Sequence, residues 1–116
     1  MIDVYGLKNC DTCKKATTWL SERGIEFVFH DVREEPLDAG TVSTWLKELG
    51  STTLVNRRST TWRGLTPAQQ DKAAAVPEAC NLIVAHPALM KRPVFDLGKE
   101  RLVGFTEEIQ AALNKL

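Results

Sequence analysis

Two short strand-like runs separated by one helical pattern constrain this chain more than anything else in it. Ile2, Val4 and Tyr5 form a brief apolar run that ends at Gly6, and Phe27-Val28-Phe29 forms a second inside Gly24 to Val32. Between them Cys13, Ala16, Thr17 and Leu20 recur at spacings of three and four, which is one face of a helix, and Gly24 offers a stop. Strand, helix, strand at this spacing predicts a right-handed βαβ unit with two parallel strands.

The helix pattern begins on Asn9-Cys10-Asp11-Thr12-Cys13. A helix start presents unpaired backbone N–H groups and a partial positive charge, so a thiolate formed there is favoured over the thiol. This matters because an ordinary cysteine with a pKa near ~8.5 is only about 3% ionised at pH 7. Cys10, nearer the start, is the candidate nucleophile. Cys13, one turn on, is placed to reach back and resolve a mixed disulfide. Lys14 and Lys15 add positive charge, but exposed lysines are screened by salt, which leaves the helix terminus as the larger influence. The competing reading is two small apolar fillers three residues apart. A zinc site needs two further ligands, and no second C-x-x-C is present; Cys80, His86 and His30 are scattered, so no metal is expected. Cys80 reads as a buried helix residue and His86, before Pro87, as a helix end.

From Pro36 to Pro87 helical spacing takes over, which predicts an all-helical insertion over about 36–87. Val42, Trp45, Leu46 and Leu49 form one helix face with Gly50 just beyond it. Thr66-Pro67-Ala68-Gln69 combines a capping Thr, a Pro at the first helical position and a Gln three residues after the cap. A third helix is predicted from Pro77 or Glu78 towards His86. Asn56 to Arg63 reads as an irregular segment with three arginines around Trp62, either an anion cradle or a solvated loop. Pro93-Val94-Phe95 and Arg101-Leu102-Val103 flank a Gly-containing connection and predict an antiparallel hairpin. Pro93 belongs at the first residue of its strand, with a cis bond as one option, and Arg92 offers a planar donor fork to a carboxylate, thiolate or oxyanion unless it is simply a surface arginine. Thr106 caps a closing helix with Ile109, Ala112, Leu113 and Leu116 as its stripe.

This order is α/β: a βαβ half, helices, then a ββα half, giving a four-stranded mixed sheet with flanking helices, the order of a thioredoxin-like fold. With 116 residues, 43% of them hydrophobic, one domain over 1–116 is expected. Fifteen basic and fifteen acidic side chains cancel, which argues against nucleic acid as a direct ligand. No secretory segment and no apolar run long enough to span a bilayer is evident, so no membrane partner and a cytoplasmic location are expected.

Tyr5-Gly6-Leu7-Lys8-Asn9-Cys10-Asp11-Thr12, Leu54-Val55-Asn56-Arg57-Arg58-Ser59-Thr60-Thr61-Trp62-Arg63 and His86-Pro87-Ala88-Leu89-Met90-Lys91-Arg92-Pro93 resemble the arsenate-reductase-like (ArsC) family, which includes the Spx transcription regulators and a YffB branch. The resemblance implies a thioredoxin-like core with a helical insertion, a reactive Cys10, and Arg92 before a cis Pro93 facing that cysteine. Glutaredoxin-coupled arsenate reductases of the family use one cysteine and three arginines; Arg92 matches the second, while Asn56 and Gly104 stand at the first and third. A C-x-x-C, here Cys10 and Cys13, is the Spx-like arrangement. The expected function is glutathione-linked thiol–disulfide exchange: Cys10 attacks, Cys13 or glutathione resolves, Arg92 with Arg57 or Arg58 orients an acidic substrate, and Asn9, Thr12 and Pro93 complete the binding site. Glutathione is then a co-substrate, with no tightly bound cofactor. A redox-sensing regulator that binds RNA polymerase is the alternative, and arsenate reduction a third reading.

Overall fold

The computed structural model describes residues 1–116, in the order β1 (Ile2–Gly6), α1 (Asp11–Glu22), β2 (Phe27–Asp31), α2 (Ala39–Leu49), α3 (Ser51–Leu54), α4 (Thr60–Arg63), α5 (Pro67–Lys72), α6 (Val76–Ala85), a 3-10 turn (Pro87–Leu89), β3 (Val94–Asp96), β4 (Arg101–Val103) and α7 (Glu107–Leu113). The chain divides into two units, one made of 1–35 with 92–116, the other of 36–91.

The first unit is a four-stranded mixed sheet of order β2-β1-β3-β4. β1 pairs parallel with β2, Ile2 opposite Phe27 and Gly6 opposite Asp31, and antiparallel with β3, Val4 opposite Phe95. β3 pairs antiparallel with β4, Phe95 opposite Leu102. Strand pleating sends alternate residues to opposite faces, so Ile2, Val4 and Phe95 share one face with Ala16 and Leu20 of α1 and Leu113 of α7. That face is the core. The opposite face carries Asp3, Tyr5, His30, Asp96 and Arg101. Gly24 after α1 and Gly98 in the β3–β4 turn have φ of +68° and +88°, a backbone region that glycine enters without the steric cost of a Cβ; in the turn Asp96 also accepts from the Gly98 N–H at 2.9 Å.

The second unit is helical. α2 starts where the Asp38 side chain accepts the Thr41 N–H at 2.7 Å and buries Val42, Trp45 and Leu46; it packs on α6, which buries Ala79, Cys80 and Ile83. α5 begins with a complete capping box, Thr66 accepting from the Gln69 N–H while the Gln69 side chain accepts from the Thr66 N–H. A single antiparallel bridge, Val55 with Met90, closes the unit.

Two expectations need correction. Asn56 to Arg63 is not wholly irregular: Ser59 caps α4 by accepting the Trp62 N–H at 3.1 Å, which nucleates a turn of helix at Thr60–Arg63. Leu116 is not in the buried stripe of α7, because the helix ends at Leu113 and the last residue is 55% exposed.

Candidate functional site

Cys10 is the cap residue of α1, with an extended backbone (φ −94°, ψ 120°) and the helix beginning at Asp11. Its N–H donates to the Leu7 carbonyl at 3.2 Å and its carbonyl accepts from the Lys14 N–H at 3.0 Å, so backbone bonds hold it from both sides. As a neutral thiol its sulfur makes no capping hydrogen bond, because a thiol is a poor acceptor. The thiolate is different. Burial is the strongest single influence on Cys10 and opposes ionisation, but the Cys13 N–H, the Cys13 thiol and the Arg92 guanidinium, by hydrogen bond and by charge, together outweigh it and bring the pKa below that of an ordinary thiol.

Cys13 behaves oppositely. It is 1% exposed, and its thiol is pushed up to about 12, first by burial and further by the hydrogen bond and charge of Cys10, against the pull of the Leu7 N–H and Arg92. Its sulfur lies against Gly6: a Cβ at that position would stand 2.5 Å from the sulfur and 3.4 Å from a ring carbon of Phe29. The end of β1 is therefore a glycine because the space beside it is filled by sulfur. All three cysteines are free thiols, and Cys80 donates its S–H to the Ala39 carbonyl at 3.3 Å.

Arg92 precedes Pro93 through a cis bond, and the buried Pro93 accepts the Gly104 N–H at 2.9 Å. The first unit thus brings Cys10, Cys13 and Arg92 together, with Pro93 joined to Arg92 by the cis bond. Asn9, in the turn before the cap, and Thr12, in the first turn of α1, are exposed. Arg57 and Arg58 belong to the second unit, exposed; the Arg57 guanidinium sits 5.5 Å from the Trp62 ring centre, and the Arg58 N–H donates to the Asn56 side chain at 3.1 Å.

His30, on the polar sheet face, turns both ring nitrogens to carboxylates, Asp3 at 2.8 Å and Glu35 at 3.3 Å, and stacks on Tyr5 with ring centres 4.7 Å apart. The Asp3 hydrogen bond is the main reason that its pKa is raised. Reasoning from the sequence missed two residues of the site. Gly6 reads only as the end of an apolar run, and Asp31, whose carboxylate accepts the Lys8 N–H at 2.9 Å, reads only as an acidic strand boundary.

A mixed sheet with flanking helices and a cysteine capping its first helix defines a protein of the thioredoxin-like fold. The chain belongs to the ArsC family, whose model matches residues 5–113. It is similar to an uncharacterised protein of Haemophilus influenzae, 42% identical over 113 residues that cover 97% of this chain and 98% of that one. It is also similar to the solved structure of a YffB protein, with 42% identity, a TM-score of 0.87 and 97% of each chain covered. A third relative is the global transcriptional regulator Spx 1 of Lactococcus lactis, 30% identical over 116 residues that cover 97% of this chain and 89% of that one. No helix is long and apolar enough to cross a membrane.

Proposed function

We propose that this chain is a thiol–disulfide oxidoreductase that works on glutathione mixed disulfides with Cys10 as its only attacking sulfur. The observation that carries this reading is the opposite environment of the two thiols: Cys10 is part-exposed with its anion favoured, and Cys13 is sealed with its proton held. The Cys10 thiolate attacks the glutathione sulfur of a mixed disulfide, forming a Cys10–glutathione disulfide and expelling the other thiolate, which takes a proton from water. A second glutathione thiolate then attacks the bound glutathione sulfur, releasing oxidised glutathione and restoring the Cys10 thiolate. One mixed disulfide is exchanged for one oxidised glutathione, and one free glutathione is consumed.

Cys13 is a poor rival for that second step. With its proton held to about 12, it is ionised in only about one molecule in 100,000 at pH 7. Once Cys10 is in a disulfide its charge no longer raises the Cys13 value, but burial, the larger influence, remains. External glutathione is ionised far more often.

The test is turnover of a cysteine–glutathione mixed disulfide, followed as oxidised glutathione by a coupled reductase. Wild type and Cys13→Ser turn over, and Cys10→Ser does not; wild type without turnover refutes the proposal. The second reading, a redox-sensing regulator, is favoured by the C-x-x-C together with the 30% identity to a protein named as a global regulator. It requires stoichiometric oxidation to a Cys10–Cys13 disulfide without turnover, and redox-dependent retention of RNA polymerase on the immobilised chain. Arsenate reduction is the weaker third: Asn56 and Gly104 replace two oxyanion-binding arginines of the family pattern, and Gly104, at φ +88°, adopts a backbone hostile to a side chain. An arsenate assay with glutathione and glutaredoxin is expected to show no appreciable turnover.

A further inference from the structure

Asp31 is the one charged side chain buried in this chain, 8% exposed, at the last residue of β2. A carboxylate there needs donors to compensate for its lost hydration. It finds them in the backbone alone: one oxygen accepts the Lys8 N–H at 2.9 Å, and the other accepts the Arg33 and Glu34 N–H groups at 2.8 and 3.2 Å. Lys8 lies two residues before Cys10 in the loop that joins β1 to α1. On one side that loop is anchored by the Val32 N–H donating to the Gly6 carbonyl at 2.9 Å, and on the other by the Cys10 N–H donating to the Leu7 carbonyl. Between these anchors the Asp31 carboxylate holds the Lys8 N–H.

We infer that Asp31 is a positioning residue for Cys10: its carboxylate clamps the Leu7–Asn9 loop so that the Cys10 sulfur meets the Cys13 N–H and the Arg92 guanidinium. The inference rests on Cys10 being the nucleophile. Geometry is what the clamp supplies, since the favourable groups around the sulfur act only within hydrogen-bond reach. The charge of Asp31, taken by itself, works the other way. A negative carboxylate near a thiolate disfavours it, so a bystander Asp31 that is neutralised leaves the Cys10 midpoint unchanged or lower, whereas a clamp that is lost raises it.

The experiment measures the pH dependence of Cys10 alkylation by iodoacetamide, read by mass spectrometry, in the full chain with circular dichroism as the check of folding. Asp31→Asn keeps the size of the side chain but faces N–H donors with an NH2 group. Its midpoint is expected above that of wild type, and a midpoint one pH unit higher lowers the reactive thiolate at neutral pH roughly tenfold. Should Asp31→Asn not fold, a semisynthetic chain with an ester in place of the Leu7–Lys8 amide removes the Lys8 donor, while weakening the Leu7 carbonyl as acceptor of the Cys10 N–H, and is expected to titrate higher in the same way. Lys8→Ala keeps the N–H and deletes only the exposed Lys8–Glu34 ion pair of 2.8 Å, so it is expected to match wild type; a rise there as large as in Asp31→Asn would assign the effect to that pair and overturn the inference. A wild-type midpoint at or above that of an ordinary thiol overturns the reading of Cys10 and this inference together. A low wild-type midpoint that stays put or falls in folded Asp31→Asn overturns the clamp alone.

Discussion

Replacing Gly6 by alanine places a methyl carbon 2.5 Å from the Cys13 sulfur, closer than real Cβ contacts come, with a Phe29 ring carbon at 3.4 Å on another side. The sulfur has little room to yield, since Cys13 is 1% exposed and sits in the first turn of a helix packed on the sheet. Overpacking of this kind costs about 1–3 kcal/mol, and alanine returns about 0.4–1 kcal/mol by narrowing the unfolded ensemble. The expected net loss is about 1–2 kcal/mol, or roughly 3–6 °C in Tm per kcal/mol for a chain of this length. Urea denaturation measures it, with an unchanged slope showing that both chains unfold alike. The cause is isolated by repeating Gly6→Ala in a Cys13→Ala background, where the sulfur is gone and the loss is expected to fall to near zero. An equal loss in both backgrounds would refute the argument that sulfur excludes a side chain from position 6.

Arg92→Met removes a hydrogen bond and a charge that both favour the Cys10 anion, so the pH midpoint of Cys10 alkylation rises; an unchanged midpoint would show that the helix end suffices. For His30 the folded pKa is raised, chiefly by Asp3, so its contribution to stability is complete below the unfolded value near ~6.5 and is lost as pH rises through the folded one. NMR titration of the imidazole in wild type and Asp3→Asn checks this, the variant titrating lower. Thr66→Ala deletes half of the capping box and is expected to cost about 1 kcal/mol in urea denaturation; a neutral result would mean that α5 is held by packing alone.

Features that repeat or that combine several local signals were legible in the sequence. Val42, Trp45, Leu46 and Leu49 declare α2 by spacing, Thr66 to Gln69 declares α5 by cap chemistry, and the pairing of β3 with β4 follows from two runs around a glycine turn. α3 and α4, of four residues each, are too short to show a period, and their starts depend on Gly50 and Ser59 as single residues. Leu116 has the right spacing for the stripe of α7 but lies past the point where the helix stops. At the site, the placement of Cys10 could be read because a helix start has a sequence signature. That Cys13 keeps its proton while Cys10 is eased towards ionisation could not be read, because it depends on burial, on the absence of a side chain at Gly6 and on a guanidinium brought in from about eighty residues along the chain. Asp31 was illegible for a related reason, since its partners are backbone groups that every sequence possesses.

Three thiols are present, yet two of them lie beneath the surface, one wedged beside a glycine and the other tied to a carbonyl. An oxidant in solution therefore meets Cys10 first, with the Cys13 thiol in hydrogen-bond reach behind it. With Cys13 holding its proton, treatment with diamide in the absence of small thiols is expected to join two copies through one Cys10–Cys10 bridge, a reducible doublet on a gel, whereas a monomer carrying a Cys10–Cys13 disulfide is the outcome that the regulator reading requires. Cys80, tied to the Ala39 carbonyl in the helical unit, stands apart from both outcomes.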